Sequence, residues 1–458
     1  MMDKENKILN IISLHTGKAV IISIAYILAS LIGGFFPIES STIPIIWPQT
    51  GIALAVILLL GTTALPGIFL GALIVALATG VPFLFSIFNA FGNILGVYIS
   101  AYFIFHQESF SKLLNNYRSV FFLMLFGVVF GPFISATINI AGMYILQLNP
   151  IELLPSIWVE YWIRNALGIL IFTPVLLVWL GNPLPRYKFE HVIEVLVTFL
   201  MVIGLEVMLF FGEIPSEVLY LISFLIIPLI IWSSIRNKIH ASSFLNFFAA
   251  VFFLWAVAHK QGPLFNSSFP PYMTYISVMC MMLITSLIVS ALIAKLDITQ
   301  RSLTYLSTHD ALTGLYNRLF FEAESKRLEK SRQFPISIIM ADFDNLKDVN
   351  DTFGHRSGDQ VLIDIAKMFS EVFRQEDIIS RYGGDEFVIL LPDTDTPIVK
   401  KIIQRIKKQI SAYNKKHMDL PINISMGVST ANQGESLIVH LKNADKLMYQ
   451  EKQKKQGK

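Results

Sequence analysis

The sequence predicts a multi-span α-helical membrane domain followed by one soluble α/β domain. Three observations predict it. Of 458 residues, 54% are hydrophobic and only 15% are charged, where a soluble domain carries about 25% charged residues. The charges are also unevenly placed: residues 1–295 hold 12 Lys/Arg and 11 Asp/Glu, and residues 296–458 hold 24 and 22. Finally, apolar runs near the roughly 20 residues needed to span a bilayer recur through the first part and then stop. The apolar content excludes a disordered or fibrous chain. A net charge of +3 is too small to mark a nucleic-acid surface, so no nucleic-acid partner is expected. The single cysteine, Cys280, lies in an apolar run and excludes an intrachain disulfide and Cys-based metal sites.

Ten apolar runs are expected to be spans: 18–36, 45–60, 64–79, 83–105, 119–147, 157–180, 192–211, 218–233, 239–259 and 273–294. The second and third are short and separated only by Gly61-Thr62-Thr63, so a tight hairpin or a re-entrant pair fits them, and the count ranges from eight to ten. The first run lacks a small-residue cleavage pattern and reads as an uncleaved span. Loop charges set the orientation. With a cytoplasmic N-terminus, Lys4, Lys7, Lys18, Lys112, Arg118, Arg186, Lys188, Arg236 and Lys238 fall inside, and Lys260 falls outside with Glu39, Glu152, Glu213 and Glu217. Ten spans then return the C-terminal domain to the cytoplasm. After the last span, Val289, Leu292, Leu296, Thr299, Leu303 and Leu306 recur at alternating steps of three and four. That is an a/d seam suited to a parallel coiled coil or to a short amphipathic linker helix. The division expected is a membrane domain over 1–294, a linker over 295–309 and a soluble domain over 310–458.

The soluble third alternates helix and strand. Helices are expected over 317–331, 344–352, 358–373, 398–414 and 435–450, with a frayed tail from Lys452. Strands are expected over 336–341 and 422–429. Residues 377–382 and 386–391 flank Gly383-Gly384 and read as a β-hairpin, with the glycines supplying positive φ. The strand 336–341 runs into Asp342-Phe343-Asp344, and the hairpin turn adds Asp385 and Glu386. Four acids at adjacent strand ends form an oxygen-ligand site suited to Mg²⁺ or Mn²⁺. Magnesium held in this way usually also meets substrate phosphates. Lys347 is placed to meet a phosphate, and Asn350 and Asp359 have the donors and acceptors to read a base edge. No P-loop and no protein-kinase motif set occurs.

Arg381-Tyr382-Gly383-Gly384-Asp385-Glu386-Phe387 resembles the signature of GGDEF-domain diguanylate cyclases. The runs Asp342 to His355, Gly358-Asp359 and His309 to Arg318 agree with it in order. The resemblance implies a palm-like fold related to nucleotide cyclases. It also implies a reaction, in which two GTP molecules become cyclic di-GMP and two pyrophosphates across a face-to-face homodimer. Carried over by position, Asp342, the Phe343 carbonyl and Asp385 are the metal ligands, and Asp385 and Glu386 help deprotonate the 3′-hydroxyl. Asn350 and Asp359 read guanine with His355 nearby. Gly383 and Gly384 let substrate approach, and Lys347 and Lys452 meet phosphates. Gln456 stands where the family often has Arg, with Lys454 or Lys455 as replacement point charges. Arg374-Gln375-Glu376-Asp377 matches the RxxD inhibitory product site of such cyclases, through Arg374 and Asp377. The alternative is a catalytically weak domain that acts as a cyclic di-GMP receptor.

The membrane part resembles the first class of membrane-associated sensor (MASE) domains. Trp47-Pro48-Gln49-Thr50-Gly51 to Ala55, Pro66-Gly67 to Ala72, Asn165 to Gly168 and Pro174 to Leu177 carry the likeness. Arg164-Asn165 stands where that class usually has Gly-Asp. Glu160 and Arg164 lie four apart in an apolar helix, as a functional pair or as a self-neutralising one. Lipid contact and control of the cyclase by the membrane domain are implied. A transporter with a regulatory tail is disfavoured by the scarcity of intramembrane charge.

Overall fold

The computed structural model describes residues 2–37, 44–181, 189–211, 216–236, 239–259, 271–418, 420–455 and 457. Gln456 and the loop charges Glu39, Arg186, Lys188, Glu213, Lys238 and Lys260 lie outside the described residues. The chain divides into two compact units, Met1–Asp297 and Ile298–Lys458.

The first unit is helical. Its elements are α1 (Met2–Gly33), α2 (Pro48–Leu60), α3 (Leu65–Ala78), α4 (Phe83–Phe105), α5 (Tyr117–Phe122), α6 (Gly131–Ile145), α7 (Leu154–Gly181), α8 (Phe189–Phe211), α9 (Ser216–Arg236), α10 (Ile239–Ala258) and α11 (Pro271–Thr308). Among the described residues eight helical stretches are long and apolar enough to cross a membrane, which makes this unit a multi-pass membrane domain. That count takes Pro48–Ala78 as one stretch and leaves out α9. Contacts along α1 show how the stretch is folded. Gly33 meets Pro48 at the start of α2, Ala19 and Ile22 meet Gly67, and Ser23 and Tyr26 meet Gly71. So α2 runs back along α1 and α3 returns beside it, with the one-turn 3-10 helix Gly61–Ala64 between them. Such antiparallel neighbours are what either a hairpin or a re-entrant pair requires. α5 and α6 are joined by a π-helix, Leu123–Phe130. Its wider turns release carbonyls, and Ser100 Oγ and Trp162 Nε1 donate to those of Phe126 and Val129 at 2.8 and 3.1 Å.

Two of the four sensor-like segments, Trp47 to Ala55 and Asn165 to Gly168, meet where α2 packs on α7. Gly51 and Gly168 let the backbones touch. Trp47 N donates to Arg164 O at 3.2 Å, Thr50 Oγ1 to Asn165 Oδ1 at 2.6 Å and Thr173 Oγ1 to Gly51 O at 2.8 Å. Hydrogen bonds of this kind satisfy polar groups where no water reaches. Arg164 is buried and pairs with half-exposed Glu160 at 2.6 Å.

The second unit is an α/β domain. Its elements are β1 (Tyr316–Asn317), α12 (Arg318–Glu329), β2 (Ile336–Phe343), α13 (Leu346–Phe353), α14 (His355–Val372), β3 (Ile378–Arg381), β4 (Glu386–Leu391), α15 (Thr396–Lys416), β5 (Ile424–Ala431) and α16 (Leu437–Lys455). The sheet order is β1-β3-β4-β2-β5, antiparallel except for the short β1–β3 pair. β2 is an interior strand between β4 and β5 and is wholly buried, as its continuous apolar run requires. Alternation sends Ile339, Ala341 and Phe343 into a core with α14 and α15. It sends Ile336, Ile338 and Met340 into a second core with α12 and α16.

Candidate active site

The same alternation builds the site. Asp342 follows Met340 by two residues and so shares the α16 face. It pairs in register with Glu386 on β4 and Ser425 on β5. β2 extends two residues beyond its apolar run, so Asp342 and Phe343 are strand residues. The Phe343 side chain is fully committed to the opposite core, which leaves its carbonyl as the group free to serve the site. Its N–H donates to Asp385 O at 2.9 Å and ties the turn to the strand end.

The turn corrects one expectation. Neither Gly383 nor Gly384 has positive φ. Both Tyr382 N and Gly383 N donate to Glu386 O, at 2.7 and 3.3 Å. A Cβ at 383 would lie 2.6 Å from Glu386 Oε2, the end of a flexible side chain, and would push that carboxylate from its place. At 384 a Cβ would meet nothing within 4 Å, so that position faces open space where a ligand can approach. Arg381 clamps the turn from below. Its Nε and Nη2 donate to Gly384 O at 3.1 and 2.7 Å, and its Nη1 donates to Asp310 Oδ1 at 3.1 Å. Asp310 also accepts from Thr313 N and Oγ1 at 2.9 and 2.7 Å. Burial would raise the Asp310 carboxyl, but Thr313 and Arg381 outweigh burial and hold it below its ordinary value. Sequence reasoning gave Arg381 and Asp310 no role. The available signal was an Asp at the head of Asp-Ala-Leu-Thr-Gly, a side chain suited to capturing N–H groups three residues on.

α16 supplies the cations, and here the frayed tail is overturned. The helix continues through Lys455. Lys452 Nζ donates to Asp342 Oδ1 at 2.5 Å. Lys455 Nζ reaches Asp344 Oδ2 at 3.1 Å, Ile424 O at 2.7 Å and Ser425 Oγ at 3.1 Å. Ser425 Oγ donates to Asp344 Oδ1 at 2.8 Å. Lys455 is therefore bound to Asp344, whereas Lys454 is exposed. Gly427 makes this approach possible, because it sits directly against the α16 backbone at Ala444 and Met448.

Negative charge still prevails. An ion pair alone would lower Asp342, yet burial and the nearby carboxylates of Asp385 and Asp344 raise it despite Lys452. Burial, then Asp342, Asp385 and Asp445, raise Glu386 as well. Burial pulls Lys452 down, but its bond to Asp342 and the surrounding acids leave it raised overall. Burial is the largest cause for both carboxyls, and the crowding of acids around them adds to it. The cluster's donors are oxygens only, which fits Mg²⁺ or Mn²⁺. Among the described residues no three His, Cys, Asp or Glu side chains converge on one ion position. A magnesium ion that takes one or two carboxylates and completes its shell with substrate oxygens needs no such cluster.

The remaining expected residues divide into two groups. Lys347 and Asn350 lie on α13, and His355 and Asp359 lie on the first turns of α14. Lys347, His355 and Asp359 are exposed, and the Asn350 amide packs on Gly358. Among the described residues no hydrogen bond or ion pair joins them to Asp342, Asp385 or Glu386. Arg374 and Asp377 sit at the far end of β3 from the turn. The Arg374 side chain is exposed, and Arg374 N donates to Asp377 Oδ2 at 2.8 Å.

The family model described as diguanylate cyclase, GGDEF domain, matches residues 307–458, and the MASE1 model matches residues 19–301. Over 157 residues the chain is 37% identical to the response regulator PleD of Caulobacter vibrioides, covering 32% of this chain and 34% of that protein. Over 172 residues it is 33% identical to diguanylate cyclase A of Treponema denticola, covering 36% and 46%. The chain thus spans about a third to a half of those relatives. Among solved structures it is similar to the coiled coil and GGDEF domain of DgcB from Caulobacter crescentus in complex with c-di-GMP. That match has 26% identity and a TM-score of 0.33, and covers 37% of this chain and 91% of that one. With most of its length matched by one family and its soluble third by the other, the chain belongs to the MASE1 membrane-sensor family and carries a C-terminal GGDEF domain.

Proposed function

We propose that this protein is a membrane-bound diguanylate cyclase that joins two GTP molecules into cyclic di-GMP. The observation that carries the reading is the pairing of Asp342 with Glu386 across β2 and β4, beside Asp385 and under Lys452. Asp342, the Phe343 carbonyl and Asp385 would hold Mg²⁺ or Mn²⁺, which when bound neutralises triphosphate charge. Asn350, Asp359 and His355 orient the guanine. Lys347 and Lys452 meet phosphate oxygens, and Lys452 exchanges its bond with Asp342 for them. Gly384 leaves room for the triphosphate at the turn. The 3′-oxygen of one GTP attacks the α-phosphorus of the other, and the bond to pyrophosphate breaks. Asp385 and Glu386 take the 3′-proton, and the raised affinity of Glu386 for a proton suits it to that task. Two such steps close the ring. One site cannot hold both nucleotides in line, so the working unit is a homodimer.

The seam on α11 supports that dimer. Leu292, Leu296, Leu303 and Leu306 are exposed in the single chain, at 43–62%. Residues 295–309 then form the signalling linker between a membrane sensor over 1–294 and the cyclase over 310–458, with the N-terminus and the cyclase in the cytoplasm of a bacterial inner membrane. Arg374 and Asp377 bind product and hold the domains apart. Arg374→Ala is expected to relieve inhibition by added cyclic di-GMP, and inhibition equal to wild type would remove that role. The central test is incubation of the full chain with GTP and Mg²⁺, beside Asp385→Ala. Product from wild type alone supports the cyclase. Product from neither, with cyclic di-GMP bound, would leave a receptor.

A further inference from the structure

We propose that Glu451 and Lys455 are positioning residues of the cyclase: they clamp the last turn of α16 to the edge of β5 and so hold Lys452 where a triphosphate arrives. The assignment rests on the reading of Lys452 as a phosphate contact. It begins at the sheet edge. β5 is paired with β2 alone, so one side of its backbone has no strand partner. Successive strand residues turn their backbone groups to opposite sides. Asn423 O accepts from Asp344 N on the side of β2, so Ile424 and Met426 present their groups to the outer edge. Such groups are ordinarily left to water. Here α16 takes one from each residue. Glu451 Oε2 accepts from Met426 N at 2.8 Å, and Lys455 Nζ donates to Ile424 O at 2.7 Å. A carboxylate meets the free donor and an ammonium meets the free acceptor. The two side chains lie four residues apart, on one face of the helix.

Each end of the clamp is itself braced. Glu451 Oε1 accepts from Lys407 Nζ on α15 at 3.1 Å. Lys455 Nζ also donates to Asp344 Oδ2 and Ser425 Oγ, both at 3.1 Å. An ammonium has three N–H donors, and those of Lys455 are all taken. Lys452 differs. Among the described residues its ammonium donates to Asp342 alone, which leaves two donors for phosphate oxygens. The two lysines therefore divide the work: Lys455 anchors and Lys452 receives. Lys452 lies between Glu451 and Lys455 in the chain, so anchors on both sides fix its backbone. From Gln450 to Lys455 there is no apolar residue to order the turn instead. With the clamp open, GTP has to order that turn as it binds, and ordering lowers affinity.

The test is GTP turnover and GTP titration with Mg²⁺, on the full chain in lipid nanodiscs. Lys455→Met keeps the length of the side chain and removes its donors. It should raise KM for GTP about fivefold and leave kcat within about twofold of wild type, the pattern of binding lost in folded enzyme. A merely structural loss would lower the active fraction and leave KM unchanged. Lys455→Arg keeps charge and donors and should hold KM within about twofold of wild type. Glu451→Met separates the clamp from charge counting. Removing an acid near an anionic substrate tightens GTP if charge alone acts, whereas breaking the clamp raises KM about threefold. That variant also serves should Lys455→Met misfold. Where wild type binds GTP without turnover, the same ratios are read from Kd. A KM unchanged in Lys455→Met, or unchanged or lowered in Glu451→Met, overturns the clamp and leaves the cyclase reading standing. Wild type that neither binds GTP nor makes product overturns both.

Discussion

Gly383 and Gly384 are neighbours with opposite requirements. A methyl group at 383 enters the space of the Glu386 carboxylate, whereas one at 384 enters open space. Gly383→Ala should therefore displace Glu386 and lower turnover by about 10²-fold, a typical cost of misplacing a reacting group. Gly384→Ala should leave the thermal transition unchanged and weaken GTP instead, raising KM. Equal effects of the two substitutions on folding would contradict this account of the turn. Glu386 has a stability consequence too. Its folded-state affinity for protons is raised above the ordinary value of 4.5 by burial and by Asp342, Asp385 and Asp445. The unfolded chain holds that proton less tightly, so ionised Glu386 costs stability at neutral pH, and the cost shrinks as pH falls through the raised value. Glu386→Gln should raise the GGDEF unfolding midpoint at pH 7 by about 1–2 °C, a screened effect for a partly exposed group. The gain should fade toward pH 4.5, as a thermal series across pH would show.

At the scale of elements, α16 works because Gly427 lets it lie on β5. A Cβ at 427 would strike backbone atoms of Ala444 and Met448, which cannot swing aside as a side-chain end can. Gly427→Ala should cost about 2 kcal/mol, as overpacking does. It should also shift Lys452 and Lys455 off Asp342 and Asp344, with weaker GTP binding in those molecules that fold. Denaturant titration and nucleotide titration would separate the two effects. This contact also shows why α16 was hard to read to its end. The residues from Lys452 have no apolar periodicity, so local pattern gives no reason for order there. Order comes from acids that lie 110 and 111 positions earlier in the chain. The same holds at β2. Its apolar run was legible, but Asp342 joins the strand through Glu386 and Ser425, partners that no local window contains. The hairpin around Gly383 was found for a partly wrong reason: turn chemistry suggested positive φ, which neither glycine adopts, and what the small residue at 383 spares is the position of the Glu386 carboxylate.

At the scale of the whole molecule, composition alone separated membrane from soluble residues, because hydrocarbon and water select residues so differently. The spacing of three and four along α11 was also legible as a local property, and the structure carries it on one continuous helix. Leu296, Leu303 and Leu306, exposed beyond the expected span in one chain, have reason to pair with a second copy. If that pairing aligns two GTP-loaded domains, breaking it should slow the reaction without touching a single nucleotide contact. Leu296→Glu with Leu303→Glu places like charges across the seam, and repulsion there disfavours the dimer. Each subunit should still bind GTP as wild type does. Turnover per subunit should fall at low protein concentration and recover as concentration rises, because encounter becomes the limiting step. Light scattering in detergent would report the change in mass. A monomeric variant with undiminished turnover at every concentration would refute the role of the seam in bringing the two nucleotides together.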